Sequence, residues 1–180
     1  MSYSVEISED ATLRMLTERD VGGVLDAYRR NREHLAPWDP ARSESFFTSV
    51  EQARILKNQI DDLKAGSGVP FVIVTSDMII GRITLTGIVR GPFHSANVGY
   101  WIDKAHVGQG LASAALENVI NHCIEDLGLH RLQASTLLHN HGSQQVLRKA
   151  GFEPIGTAKK YLKIAGTWQD HLLFQRILSE

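Results

Sequence analysis

Gly99-Tyr100-Trp101-Ile102-Asp103-Lys104-Ala105-His106-Val107-Gly108-Gln109-Gly110-Leu111-Ala112-Ser113 is the stretch of this sequence best equipped to bind a charged ligand. A strand should end near Ile102 and a helix should start at about Gln109. Two glycines leave the backbone bare between them, so unpaired N–H groups and the positive end of the helix dipole face outward together. That combination favours a phosphate or pyrophosphate. The order Gly-x-Gly-x-Ala lacks the third glycine of the dinucleotide-binding fingerprint. No Gly-Lys-Ser/Thr follows it to make a nucleoside-triphosphate loop.

A second reactive group lies downstream, in Asn140-His141-Gly142-Ser143. Asn140 is placed to cap a helix, and Ser143, one turn further on, points the same way. A hydroxyl there can give a proton to a leaving group, or it can satisfy a helix-start amide. Ser143 lies in Gly142-Ser143-Gln144, not in a Gly-x-Ser-x-Gly elbow, which argues against a nucleophilic hydrolase. Eight histidines raise the question of a metal. His139 and His141 are two apart at a strand end, but no third ligand has a recognisable spacing, so no metal is expected. His106 borders the glycine loop, where it either meets a phosphate or faces solvent.

The elements that must carry these residues follow from periodicity. Residues 1–10 are polar and either loose or edge-paired. Thr12 to Leu16 alternates as a strand. Thr17 and Asp20 resemble a capping box opening a helix to about Arg32. Residues 33–48 form a long connection with Pro37, Trp38, Pro40, Phe46 and Phe47; such connections are commonly functional. The aromatics either line a pocket or anchor the loop. Val50, Ala53, Leu56, Ile60 and Leu63 mark a second helix, ended by Gly66-Ser67-Gly68. Pro70–Thr75 and Met78–Val89 are strands joined by a turn at Ser76-Asp77. Ala96–Ile102 leads into the glycine loop. Leu111, Ala115, Val119 and the row from Ala112 to Leu127 define the long helix, which ends at Gly128. Arg131–Leu137 is a strand, Asn140 opens a short helix stopped at Gly151, and two strands joined around Ala165-Gly166 fill Glu153–Leu178. This mixed order is not the repeated βαβ of a doubly wound sheet.

With 180 residues, a single domain over residues 1–180 with a sizeable core is expected. The 43% hydrophobic and 22% charged content is that of an ordinary soluble globular chain. A net charge of -1 gives no basic excess, which argues against nucleic acid as the main partner. The single cysteine, Cys123, falls on an apolar helix row, excludes an internal disulfide and suits a reducing compartment. The start of the chain lacks a signal peptide's basic and apolar regions, and no run is long enough to span a membrane. A cytoplasmic location is expected.

Residues 107–112 resemble the acyl-CoA loop of the GNAT acetyltransferase superfamily, Gln/Arg-x-x-Gly-x-Gly/Ala. Gly110 and Ala112 occupy its last two fixed positions, and Val107 stands where the family has Gln or Arg. Asn140 to Phe152 resembles the Asn-x-x-Ser-x-x-Val-x-x-Lys-x-Gly-Phe stretch of the branch that acetylates ribosomal-protein N-termini, and all six fixed positions match. Asn31-Arg32-Glu33-His34-Leu35 and Trp38 resemble that branch's substrate-side helix and loop.

The resemblance implies an α/β (α+β) GNAT fold: a mixed, mostly antiparallel sheet of about seven strands, flanked by four helices and splayed at the acyl-CoA site. It implies an acetyl-CoA-dependent N-acetyltransferase with direct transfer and no metal. The cofactor contacts would come from Trp101, Ile102, Asp103, Val107, Gly108, Gln109, Gly110, Leu111, Ala112 and Ser113, with the pyrophosphate on the amides of residues 107–112. Asn140 would bond the pantetheine arm, and Ser143 would protonate the departing thiolate. A backbone N–H near Ile102 or Asp103 would receive the oxyanion. The branch's proposed base is a glutamate where this chain has Lys160. That leaves Glu33, His34, Asp39 or water. The implied acceptor is a protein or peptide N-terminal amine. A small-molecule amine and a non-catalytic acyl-CoA-binding module stand as alternatives. Dimerisation is an expectation that the resemblance alone carries.

Overall fold

The computed structural model describes residues 3–76 and 78–179. It is built on one sheet of eight strands: β1 Ser4–Ser8, β2 Ala11–Met15, β3 Val69–Val74, β4 Ile79–Val89, β5 Ser95–Ile102, β6 Arg131–Leu137, β7 Glu153–Ile164 and β8 Thr167–Ile177. Their spatial order is β1-β2-β3-β4-β5-β6-β8-β7. Every neighbouring pair is antiparallel except β5 and β6. A parallel pair needs a crossover element, and the helix between β5 and β6 supplies it.

The helices are α1 Val21–Arg30, α2 Arg32–Leu35, α3 Ser49–Ala65, α4 Leu111–Glu125 and α5 His141–Lys149. The sheet is covered on both faces, so β3 is buried along almost its whole length rather than alternating. One apolar core joins Leu13, Phe71, Ile83 and Leu85 to Leu116, Val119 and Ile120 of α4 and Leu147 of α5. The other joins Val72 and Ile79 to Val24 and Ala27 of α1 and Leu56 and Ile60 of α3. Full burial of one such side chain contributes about 1.5–3 kcal/mol, so both helical layers are firmly seated.

The sheet has one strand more than expected, because Ser4–Ser8 pairs with β2 as an edge strand. There is also a fifth helix. The first helix stops at Arg30 instead of running to Arg32: the Asn31 side chain takes the Ala27 carbonyl (2.9 Å), and a separate turn, α2, begins after it. The long connection then holds a 3-10 turn over Glu44–Phe47. In α3 the buried row is Gln52, Leu56 and Ile60, whereas Val50 is 82% exposed. Gln52 fits because its Nε2 donates to the Phe46 carbonyl at 2.7 Å. The turn expected at Ser76-Asp77 includes a position outside the described residues, as do the first two residues of the chain.

Candidate active site at the parting strands

β5 and β6 pair only through Ser95↔Arg131, Ala96↔Leu132 and Asn97↔Gln133. Beyond Asn97 they diverge, while β5 stays paired to β4 as far as Ile102. The Asp103 N–H donates to the Ile80 carbonyl at 2.7 Å, extending that ladder. Backbone groups alternate sides along an antiparallel strand. Those of Tyr100 and Ile102 therefore face away from β4, into the gap. The parted strands leave a cleft with one polar backbone wall.

The entry to α4 borders this cleft. Gly108 (φ 82°) and Gly110 (φ 79°) both lie in the left-handed region, where a side chain is strained. A Cβ on either would meet nothing within 4 Å, so the space above the loop is open. Gly110 caps α4 without any side-chain bond, leaving the first amides of the helix pointing outward. Val107, Gly108, Gln109 and Gly110 are exposed, Ala112 and Ser113 are half-buried, and Leu111 sends its side chain into the core. These features fit a diphosphate held by main-chain donors. Val107, exposed and apolar, adds no side-chain contact of its own.

On the opposite wall, Asn140 accepts the Ser143 N–H through its side chain (3.2 Å) and so caps α5. Gln144 anchors the same turn from beneath, donating to the carbonyls of Leu137 (3.2 Å) and Leu138 (3.0 Å). Ser143 is thereby held facing β5, with its Oγ 2.9 Å from the Tyr100 hydroxyl. Burial pushes the Tyr100 phenol up to about 12, against a smaller lowering by Ser143. It stays protonated at neutral pH.

Asp103 turns inward. Its carboxylate accepts from Arg30 Nε (2.7 Å), Asn31 Nδ2 (2.7 Å) and the Ala105 N–H (2.9 Å), with His106 Nδ1 at 3.4 Å. The Lys104 N–H returns a bond to Asn31 Oδ1 (2.9 Å). Burial alone would raise this carboxyl, but the Asn31 and Arg30 bonds outweigh it and hold it well below the usual carboxylate range. Asp103 therefore tethers the α1–α2 junction to the end of β5 and offers nothing to the cleft. Its N–H is also spent on Ile80, which leaves Ile102 as the open donor. Trp101 is similarly turned away, its ring against Tyr28 of α1 at 5.3 Å.

Residues 31–47 close the other end of the cleft. His34 places Nε2 3.2 Å from the Ile102 carbonyl. Trp38 stacks on His139, just past β6, at 5.4 Å. α2 and the residue turn after it thus bridge the two parted strands. Behind them lies a cavity of about 320 Å³ lined by Tyr28, Arg32, Asp39, Arg42, Phe46 and Phe47, among others. Phe46 and Phe47 serve both anchoring and lining: Phe46 is buried against Tyr28 and lies beside Phe47. Asp39 lies in this cavity with Arg42 at 3.4 Å; burial raises its carboxyl and Arg42 offsets part of the rise. Glu33 is exposed. Lys160 sits in a bulge of β7 at φ 47°, its N–H donating to Asp170 Oδ1 at 2.9 Å.

The structure thus gathers Ile102, the α4 entry, Asn140 and Ser143 around one cleft. It sets Trp101 and the Asp103 side chain outside it. Tyr100 was legible only as part of the Gly99–Ile102 string, and the Arg30–Asn31–Asp103 clamp left no local signal at all. His139 and His141 do not gather further ligands: among the described residues no group of three or more His, Cys, Asp or Glu is placed to hold a metal. Cys123 is buried, and burial pushes its thiol up to about 12. Among the described residues no helix is long and apolar enough to cross a membrane.

A family model described as acetyltransferase (GNAT) domain matches residues 10–153. The chain is 38% identical over 165 residues to the ribosomal protein uS5-alanine N-acetyltransferase of Escherichia coli (strain K12), covering 89% of this chain and 84% of that protein. Among solved structures it resembles the ribosomal-protein-S5-alanine acetyltransferase of Vibrio fischeri, with a TM-score of 0.94, 35% identity and coverage of 99% and 98%. It also resembles Mycobacterium smegmatis RimJ in complex with CoA-disulfide, with a TM-score of 0.88, 30% identity and coverage of 93% and 81%.

Proposed function

Because this chain belongs to the GNAT acetyltransferase family and is an acyl-CoA-dependent N-acetyltransferase, we propose that it acetylates the N-terminal amine of a protein or peptide. Acetyl-CoA is the acyl donor. The observation that carries the site assignment is the parting of β5 and β6 beside a bare glycine turn. The acceptor class rests on the relatives named as ribosomal-protein alanine acetyltransferases.

Each part of the chain then has a task. The amides of residues 107–112 hold the pyrophosphate. Asn140 and the outward backbone of β5 hold the pantetheine arm in the gap. The Ile102 N–H donates to the thioester oxygen, where charge builds as the amine attacks. A C–N bond forms, the C–S bond breaks, and Ser143 donates its proton to the departing sulfur. Tyr100, kept protonated by burial, hydrogen-bonds Ser143 from behind and can restore its proton. The acceptor would approach past the exposed Trp38. Residues 1–180 act as a single domain in this scheme.

The test is acetyl-CoA turnover, followed by free-thiol release, against peptides with defined N-termini and a panel of small amines. Alanyl-initiated peptides are expected to be the best acceptors. Turnover confined to small amines would overturn the acceptor assignment. The Ser143→Ala variant is expected to lose about 100-fold in kcat while binding acetyl-CoA normally by calorimetry.

A further inference from the structure

We infer that His34 is the general base that takes the proton from the attacking amine. The inference rests on the acetyl-transfer reading above and adds the residue that reading lacks. An α-amino group titrates at about 8, so at neutral pH the acceptor arrives largely as an ammonium. It has no lone pair to attack with until a proton leaves.

Of the three candidate side chains Glu33, His34 and Asp39, His34 is the one with a hydrogen bond to the strand that carries the reaction. Its Nε2 lies 3.2 Å from the Ile102 carbonyl. That carbonyl points into the gap on the same residue whose N–H serves the thioester oxygen. A carbonyl only accepts, so Nε2 carries the proton and the neutral ring presents its lone pair at Nδ1. Nδ1 has no hydrogen-bond partner among the described residues. The carbonyl fixes the tautomer and orients the ring, and the unpaired second nitrogen can take a proton directly or through one water.

The alternatives are spent or displaced. Asp39 faces Arg42 within its own cavity, and Lys160 belongs to a bulge pinned by Asp170. Glu33 is solvent-exposed. α2 is itself held to β5 by the Arg30–Asn31–Asp103 clamp, which sets the height of His34 over Ile102. The charged and titratable groups on the elements around His34 are Glu33 and Arg32 on its own turn, Arg30 with Asp103, Lys104 and His106 ahead of α4, and His139 past β6. In the step, the acceptor ammonium gives one proton to Nδ1 and the freed nitrogen pair forms the C–N bond. The nitrogen, now cationic, sheds a second proton to solvent as the C–S bond breaks, and solvent replaces the proton that Ser143 and Tyr100 pass to sulfur. The imidazolium then releases its proton to solvent at the exposed mouth.

The experiment compares two acceptors and two variants. The acceptors are an alanyl-initiated peptide and its aza-alanyl counterpart, whose terminal semicarbazide nitrogen is neutral well into acid. The variants are His34→Gln, which keeps an N–H donor for Ile102 but no base, and His34→Ala, which keeps neither. Both are expected to lower kcat/KM for the alanyl peptide by about 100-fold or more. The loss should shrink to a few-fold with the aza-alanyl peptide, whereas the variants' acid limb with the alanyl peptide should follow the acceptor amine's own titration at about 8. Near-normal activity in His34→Gln would reduce His34 to a positioning residue and overturn the inference. So would an equal loss on both acceptors. If the wild type takes only small amines, the acceptor reading fails, and the same comparison is made between an amine and semicarbazide.

Discussion

On the donor side of the cleft, β5, α4 and α5 present main-chain groups, two left-handed glycines and one short capped turn. On the acceptor side, residues 30–47 present side chains whose positions depend on partners far away in sequence. Asn31 and Arg30 reach Asp103, His34 reaches Ile102, and Trp38 reaches His139. The donor is the same molecule in every turnover, so a backbone site suffices. A backbone site also tolerates Val107 in place of a polar side chain. In the proposed scheme the acceptor side must select an amine and take its proton, a task given to side chains. The two walls should therefore fail differently when altered.

The largest effect is expected from Gly110→Trp. The new side chain would fill the open space above the loop and block the diphosphate. Calorimetry should show acetyl-CoA affinity falling by at least about 100-fold, roughly 3 kcal/mol. The left-handed φ adds about 1–2 kcal/mol of strain, so thermal unfolding must be read alongside. A folded variant with unchanged affinity would remove the diphosphate from this turn.

Next in size is Asp103→Asn, which attacks the join between the two walls. Breaking a buried, multiply bonded carboxylate costs about 3 kcal/mol, visible as a lowered Tm. The effect depends on pH in a definite direction. The folded-state carboxyl is held below its unfolded value of about 3.9, so its stabilisation is full above that pH. It is lost as pH falls below it. Acid unfolding of the variant should therefore be less steep than that of the wild type. Asp20, lowered in the same sense against its burial by Arg14 and Thr17, maintains a residual slope. Equal acid slopes would deny Asp103 its tethering role.

Trp38→Ala should have the smallest effect and the most one-sided. Losing the stack on His139, about 0.5–1.5 kcal/mol, should raise the acceptor KM by about two- to tenfold. Acetyl-CoA affinity should be unchanged. A change in acetyl-CoA affinity would mean that the two walls are not separable.

The same division marks what could be read in advance. The apolar rows of α4 lie where periodicity placed them, and Asn140 caps α5 at the expected residue. The bare turn at Gly108 and Gly110 is equally local, since left-handed backbone and unpaired amides follow from a few neighbouring residues. Helix α1, however, ends early because Asn31 bonds both Ala27 and a carboxylate 72 residues away. The buried row of α3 includes Gln52, which looked polar until the Phe46 carbonyl was beside it. An eighth strand forms because β2 offers Ser4–Ser8 a free edge.

By itself the amino-acid sequence determined most of the strands and helices, the turn that suits a diphosphate and the serine on its capped turn. In each case the deciding hydrogen bonds and spacings lie within a few residues. Only the tertiary structure decided which groups meet across the gap: Tyr100 behind Ser143, Asp103 withdrawn into a clamp, His34 over Ile102. Those meetings depend on where β5 and β6 part, and that is settled by packing two helical layers on a twisted sheet, not by any local run of residues.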